Sequence, residues 1–346
     1  MPASPDYRPN PRRAIFVQGT IDQAMVDHLT PQVLALQGAS TEPITIYIDS
    51  LGGAVACARQ IRSLLFCPNL DGISCRVLTV ATGVAASAAA LLLSSGDYSL
   101  AYPDCTIHYH GTRLWGEDVT LARATELTKD LDEYDFRAAL ELAENRKDQF
   151  LIWCLSVAPE LDLGQFLEMT SEKVSESARR VIREADRAIR YYKPLTEDIL
   201  VGGAYSERRL LEQLIKSEDE RREYSRAATG RPLILEVVEQ FFVLQFHIES
   251  IRKLDKEPIY RQFIDQWLDQ SDSNEVGSEI IEGRQRRFKR VREFWLFFFS
   301  LCRRLQQEEN PLTSTDALHL GLIDEVIGLT GVPNTRLLVE YPRDVE

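Results

Sequence analysis

The chain has 346 residues, enough for one large domain or two modest ones with a substantial core. Apolar residues make up 44% and charged residues 27%, which excludes a disordered, collagen-like or disulfide-scaffold protein. With 53 acidic against 40 basic side chains the net charge is -13, which opposes general binding to nucleic acid or to an anionic membrane.

Met1 to Arg13 carries four prolines and no apolar core, so it does not read as a secretory signal, and the chain is expected in the cytoplasm. Ala14 to Val17 predicts a short strand, and Thr20 predicts the N-cap of a helix that runs, broken near Pro31, to Leu36. Ile44 to Ile48 is β-branched and aromatic and predicts a strand; Val55 to Leu65 has an apolar helical period. Val77 to Ser95 lacks any charge and reaches the roughly 18 residues of a membrane span. Ala, Ser, Thr and Gly fill its middle, however, so it predicts a buried strand at Arg76 to Val80, a tight turn, and a buried helix from about Ala86 to Leu93. Strands alternating with helices imply a parallel sheet covered on both faces, an α/β class.

From Gly116 to Glu308 the segments become long, charged and periodic, as in Leu121 to Cys154 and Ser171 to Tyr192, and predict helices. A short helix, Ser314 to Leu320, and an apolar strand, Ile323 to Ile327, then restore the α/β character. The expected organisation is an α/β core of residues 1–115 and 309–346, interrupted by an α-helical insertion of residues 116–308.

The six cysteines, Cys57, Cys67, Cys75, Cys105, Cys154 and Cys302, form no CxxC pair and read as reduced thiols rather than as a metal site or a disulfide framework. Arg284 to Arg292 holds six basic residues in nine, but Phe288, Val291, Trp295, Phe298 and Cys302 recur at three and four, so the bases form the wet side of an amphipathic helix. The run Phe294 to Phe299 is too short to span a bilayer and is expected to be buried.

Three segments can carry chemistry: YIDSLGG at 47 to 53, TGVAAS at 82 to 87 and PDCTIHYH at 103 to 110. A double glycine after a strand lets a backbone approach a bound chain and turn its N–H groups inward, although many α/β turns carry Gly for sterics alone. Ser87, at the start of an alanine-rich helix, has the setting of a nucleophile with an adjoining oxyanion site, or of a small residue chosen for packing. His108 and His110, two apart on a strand, share a face, and either can accept a serine proton if its other ring nitrogen is held.

In order, RAIFVQGTID, EPITIYIDSLGGAV, GVAASAAALLLSSG, YPDCTIHYHG and TSTDALHLGLIDEVI resemble the proteolytic subunit of the Clp protease, within the crotonase-like superfamily. The resemblance covers about Arg12 to Thr112 and Leu312 to Gly328 and implies a Clp-protease-like, crotonase-like ββα spiral core, here with the large helical insertion. It implies a serine peptidase that uses no metal or organic cofactor. The family nucleophile falls on Ser87 and the family histidine on His110, with His108 as its rival; the oxyanion donors fall on the backbone N–H groups of Gly53 and Ala88, the latter where the family usually has Met. Counting back from GLID, the family aspartate position falls on Glu309, beside Asn310.

The resemblance further implies a peptide or protein substrate, a homo-oligomer, and an ATPase or other protein as candidate partner, without nucleic acid or a membrane span. The rival reading is a catalytically weak or inactive subunit kept for assembly or partner binding. A crotonase-type acyl-CoA enzyme would need a carboxylate where Ser87 stands, and a Ser-Lys dyad is opposed because the first lysine is Lys129.

Overall fold

The computed structural model describes residues 8–69, 72–113, 127, 131, 134–135, 137–146, 150, 153–154, 162–187, 294, 297–307 and 309–329. The chain divides into two compact units, one of residues 1–182 with 301–346 and one of residues 183–300. In the second unit the described residues, 183–187, 294 and 297–300, are helical, and Phe294, Phe297, Phe298 and Phe299 are buried. The basic stretch Arg284 to Arg292 lies outside the described residues.

The first unit is built on a mostly parallel sheet. A 3-10 turn, Pro11–Arg13, leads into β1 (Ala14–Ile21), followed by α1 (Gln23–Ala39), β2 (Ile44–Gly53) and α2 (Val55–Leu65). Next come β3 (Val77–Ala86), α3 (Ala88–Ser94), β4 (Tyr98–Ala101) and β5 (Thr106–His108). After the helical residues, β6 (Leu312–Thr313), the helix Ser314–His319 and β7 (Glu325–Val326) complete the sheet. The order is β1-β2-β3-β4-β7, all parallel; β5 pairs in parallel with the far end of β3, and β6 lies antiparallel on β5.

Several elements differ from the sequence reading, each for a local reason. The first helix starts not from Thr20 but from Asp22, whose carboxylate accepts the Met25 N–H at 2.9 Å. It runs unbroken through Pro31. Pro31 and Asp27 both face solvent, so water can satisfy the Asp27 carbonyl that a proline four residues on leaves without a donor. The buried Arg13 closes the other end by donating to the carbonyls of Leu36, Ser40 and Glu42 at 2.9–3.1 Å.

The largest difference is β3. The expected turn after Val80 is instead six further residues of strand. Thr82 Oγ1 donates to the Ile48 carbonyl at 3.2 Å, the Val84 N–H donates to Asp49 Oδ1 at 3.0 Å, and Ser50 pairs with Ala85 across a register shift. Leu78–Ala81 pairs with β4, whereas Val84–Ala86 pairs with β5. The uncharged segment Val77 to Ser95 is thus a strand and a short helix, and among the described residues no helix is long and apolar enough to cross a membrane. Five cysteines are buried and Cys67 is exposed; all are free thiols.

Helical residues beyond 134 are fastened to the returning strand segment by buried polar groups. Arg146 and Asp324, both fully buried, pair at 2.9 Å; Asp324 also accepts the Ser99 N–H at 2.7 Å, and Arg146 reaches the Gly321 carbonyl at 3.3 Å. Asp316 accepts from the Ser175 N–H at 2.7 Å and its hydroxyl at 2.8 Å, which ends the helix Leu163–Lys173 and lets the next start at residue 176. The Trp153 indole donates to the His319 carbonyl at 2.9 Å, and their rings lie 5.4 Å apart.

Removing one member of a buried ion pair leaves the other charge uncompensated. Arg146→Ala is expected to lower unfolding free energy by about 3–5 kcal/mol, and Arg146→Met with Asp324→Leu to recover most of it, measured by urea titration. His319 supplies a pH test. Burial, with Lys173 acting in the same direction and Asp316 against it, holds its imidazole down to about 4. Between about pH 6.5 and pH 4 the unfolded chain therefore takes up a proton that the folded chain refuses, so this residue's contribution is intact above that window and falls with pH inside it. His319→Gln should flatten the pH dependence of the urea midpoint relative to the parent across that window.

Candidate active site

The site begins where β3 ends. Ser87 follows Ala86 with φ 56° and ψ -126°, a left-handed conformation rare for a side-chain-bearing residue, and α3 starts at the next position. The strain is held from both sides: the Ser87 N–H donates to the His108 carbonyl at 2.7 Å, and the Ser87 carbonyl accepts from Ala90 and Leu91 at 3.0 and 3.2 Å. Ser87 is half-buried, and among the described residues its hydroxyl has no hydrogen-bond partner. Ala88 is the first residue of α3, so its N–H has no acceptor within the helix.

The double glycine meets this elbow directly. A Cβ on Gly52, whose φ is +93°, would stand 2.6 Å from the Ala86 carbonyl oxygen, 2.7 Å from the Ser87 Cβ and 3.1 Å from the Ala88 nitrogen. Gly53 instead abuts β1, where a Cβ would stand 2.2 Å from the Ile21 carbonyl oxygen. Gly52 is a contact that the sequence reading missed, although the doubled glycine was its signal: one glycine leaves room for the serine elbow, and the other lets the chain pass close to the Ile21 backbone.

Just past β5, Tyr109 turns into the core and meets the Ser94 hydroxyl at 2.5 Å, which fixes the end of the strand against α3. His108 and His110 share the other face, their ring centroids 5.3 Å apart. His110 Nδ1 lies 2.7 Å from the Gly111 carbonyl. A carbonyl only accepts, so Nδ1 carries a proton, and in the neutral ring Nε2 then has the lone pair, the tautomer that a general base needs. His108 differs. Burial holds its imidazole below the usual range, opposed by the Glu309 backbone and reinforced by His110, and among the described residues its buried Nε2 has no partner. Cys105, the cysteine nearest these histidines in sequence, is buried and donates to the Ala81 carbonyl at 3.0 Å.

Glu309 stands beside this strand through β6. The antiparallel register pairs Thr106 with Thr313 and Ile107 with Leu312, and three residues before β6 the Glu309 backbone reaches the His108 imidazole. The Glu309 backbone is left-handed, at φ 49°. Its side chain is exposed and its carboxylate pairs with Arg113 at 3.1 Å. Asn310 is half-buried. The structure therefore gathers Gly52, Ser87, Ala88 and β5 at one end of the sheet, with the imidazole of His110 held by a main-chain carbonyl.

Residues 8–123 match the family model described as Clp protease. The ATP-dependent Clp protease proteolytic subunit 3 of Rhizobium meliloti (strain 1021) is 30% identical over 123 residues, which are 34% of this chain and 60% of that protein. Subunit 3 of Rhizobium johnstonii is 32% identical over the same shares, and subunit 1 of Tropheryma whipplei (strain Twist) is 36% identical over 28% of this chain and 46% of that protein. The chain thus spans about half to three-fifths of the length of these relatives. By this match and by its mixed, mostly parallel sheet, the α/β core is similar to the Clp protease family.

Two glycines separate packing from entropy. Gly52→Ala should cost about 1–3 kcal/mol, because strained backbone and overpacking act together there. Gly38→Ala, in α1 with nothing within 4 Å of its added Cβ, should instead stabilise by about 0.5–1 kcal/mol. Thermal unfolding of the two variants measures both.

Proposed function

We propose that the chain is a Clp-protease-like serine endopeptidase acting on peptides or proteins. The observation that carries this reading is the strained serine elbow at the end of β3, main-chain bonded to the strand of a histidine pair and faced by a glycine that leaves no room for a side chain. In this reading His110 Nε2 takes the Ser87 proton as Oγ attacks the scissile carbonyl. The backbone N–H groups of Gly53 and Ala88 hold the developing oxyanion, a contribution of about 2.7–4 kcal/mol per donor where one has been removed from a serine protease. The imidazolium then protonates the leaving amine, and water, deprotonated by the same imidazole, hydrolyses the acyl-enzyme on Ser87.

Glu309 is the carboxylate of the triad in this proposal. In the resting geometry its partner is Arg113, in an exposed ion pair worth about 0–1 kcal/mol, so turning toward the imidazolium costs little. The Gly111 carbonyl holds the ring until then. The family likeness supports a homo-oligomer and an ATPase or other protein as partner. The helical insertion, residues 116–308, is in this proposal the part that takes part in selecting substrate.

The engaged Glu309 carboxylate also favours a second reading, a weak or inactive subunit kept for assembly. Fluorophosphonate labelling separates the two. Labelling is expected on Ser87, and Ser87→Ala should abolish both labelling and peptide turnover with little change in stability. His110→Ala should lose as much, and His108→Ala less; the reverse ranking would exchange their roles. Glu309→Gln should lower turnover by up to about 10⁴-fold, the scale of losing the acid in a serine triad. An unlabelled parent protein would support the scaffold reading.

A further inference from the structure

We propose that Asp135 is a positioning residue for the general base: its carboxylate clamps the segment Gly111–Thr112 so that the Gly111 carbonyl stays on His110 Nδ1. The inference rests on the reading of His110 as the base. Asp135 lies in a helical stretch beyond the family-like core motifs. Its Oδ1 accepts the Thr112 N–H at 2.6 Å, a short charge-assisted bond to the residue that follows Gly111. Its Oδ2 stands 2.8 Å from where a Cβ on Gly111 would be, and the Gln306 carbonyl stands 3.2 Å from the same point.

Gly111 thus lies between a carboxylate from one helical stretch and a carbonyl from another, where an added Cβ would have to push the Asp135 carboxylate aside. That placement determines where its own carbonyl points, and that carbonyl is 2.7 Å from His110 Nδ1. A main-chain acceptor on a loose segment would let the ring turn or change tautomer. Held from behind by Asp135, it does for ring orientation what a side-chain acid does in other serine sites. The aspartate acts through Thr112 and Gly111 and has no need to touch substrate.

Imidazole nitrogen NMR of the neutral protein, with His110 assigned by His110→Gln, reads the tautomer directly, and fluorophosphonate labelling reads the serine. In the parent, His110 is expected as the Nδ1–H form. Asp135→Ala should raise the Nε2–H population and slow labelling by at least about tenfold, the scale of a small misplacement at a catalytic group. Asp135→Asn keeps an oxygen for the Thr112 N–H and should restore both to within about twofold. Should the alanine variant fail to fold, Asp135→Ser, too short to reach Thr112, replaces it. A parent-like tautomer in the Ala or Ser variant would overturn the proposal, as would equal loss in Asn, which would assign the effect to charge. If the parent is not labelled but the tautomer shifts as expected, the clamp stands and the peptidase reading fails.

Discussion

The site depends on one strand having two sets of neighbours. β3 spends its first half beside β4 and its second half beside β5, and the change of partner between Ala81 and Val84 opens the sheet at the point where Ser87 emerges. The extension is held by groups from β2: the Asp49 carboxylate on the Val84 N–H, the Ile48 carbonyl on the Thr82 hydroxyl, and the Ser50 pairing with Ala85. The serine elbow is therefore strained locally and stabilised by contacts that lie some 35 residues earlier in the chain.

The second half of the architecture is polar and buried. Asp316 and Asp324, eight residues apart in the return segment, each organise a different part of the helical stretches, one by ending a helix at Ser175 and the other by meeting Arg146 inside the core. Ion pairs of this kind add little net stability relative to a well-packed apolar substitute, but an arginine in the wrong register would be left without its charge partner. In this chain the pair joins helical residues 137–146 to the sheet next to β4, where Ser99 shares the same carboxylate.

What could be read from the sequence follows the range of the forces involved. ITIYI and the apolar period of Val55 to Leu65 declare a strand and a helix locally, and the helix has the bounds that the pattern suggests. The ordered motifs pointed to the Clp protease family, which the family match bears out. By contrast, Thr82 to Ala86 has no strong strand signal, because its glycine and two alanines, all depleted in strands, outnumber Thr82 and Val84; β2 and β5 decide its conformation. Pro31 suggested a break that solvent exposure removes. Gly52 was visible only as half of a doublet, and the hold of Asp135 on Thr112 spans 23 residues of chain, beyond the reach of any local pattern.

The late return of the sheet also bears on how the chain is made. β4 finds its outer neighbour in β7, and β5 finds its own in β6, so both edges wait for residues more than two hundred positions downstream. At the usual pace of a ribosome, about 5–20 residues per second, that is a delay of roughly 10–40 s. During that interval the nascent sheet presents two open edges besides β1, one of them the strand bearing His108, as templates for pairing with other chains. Contacts of such long sequence separation also fold slowly. A chain of this topology thus carries a need for protection during synthesis, by chaperone or by early helix docking, that a version without the intervening helices would not share.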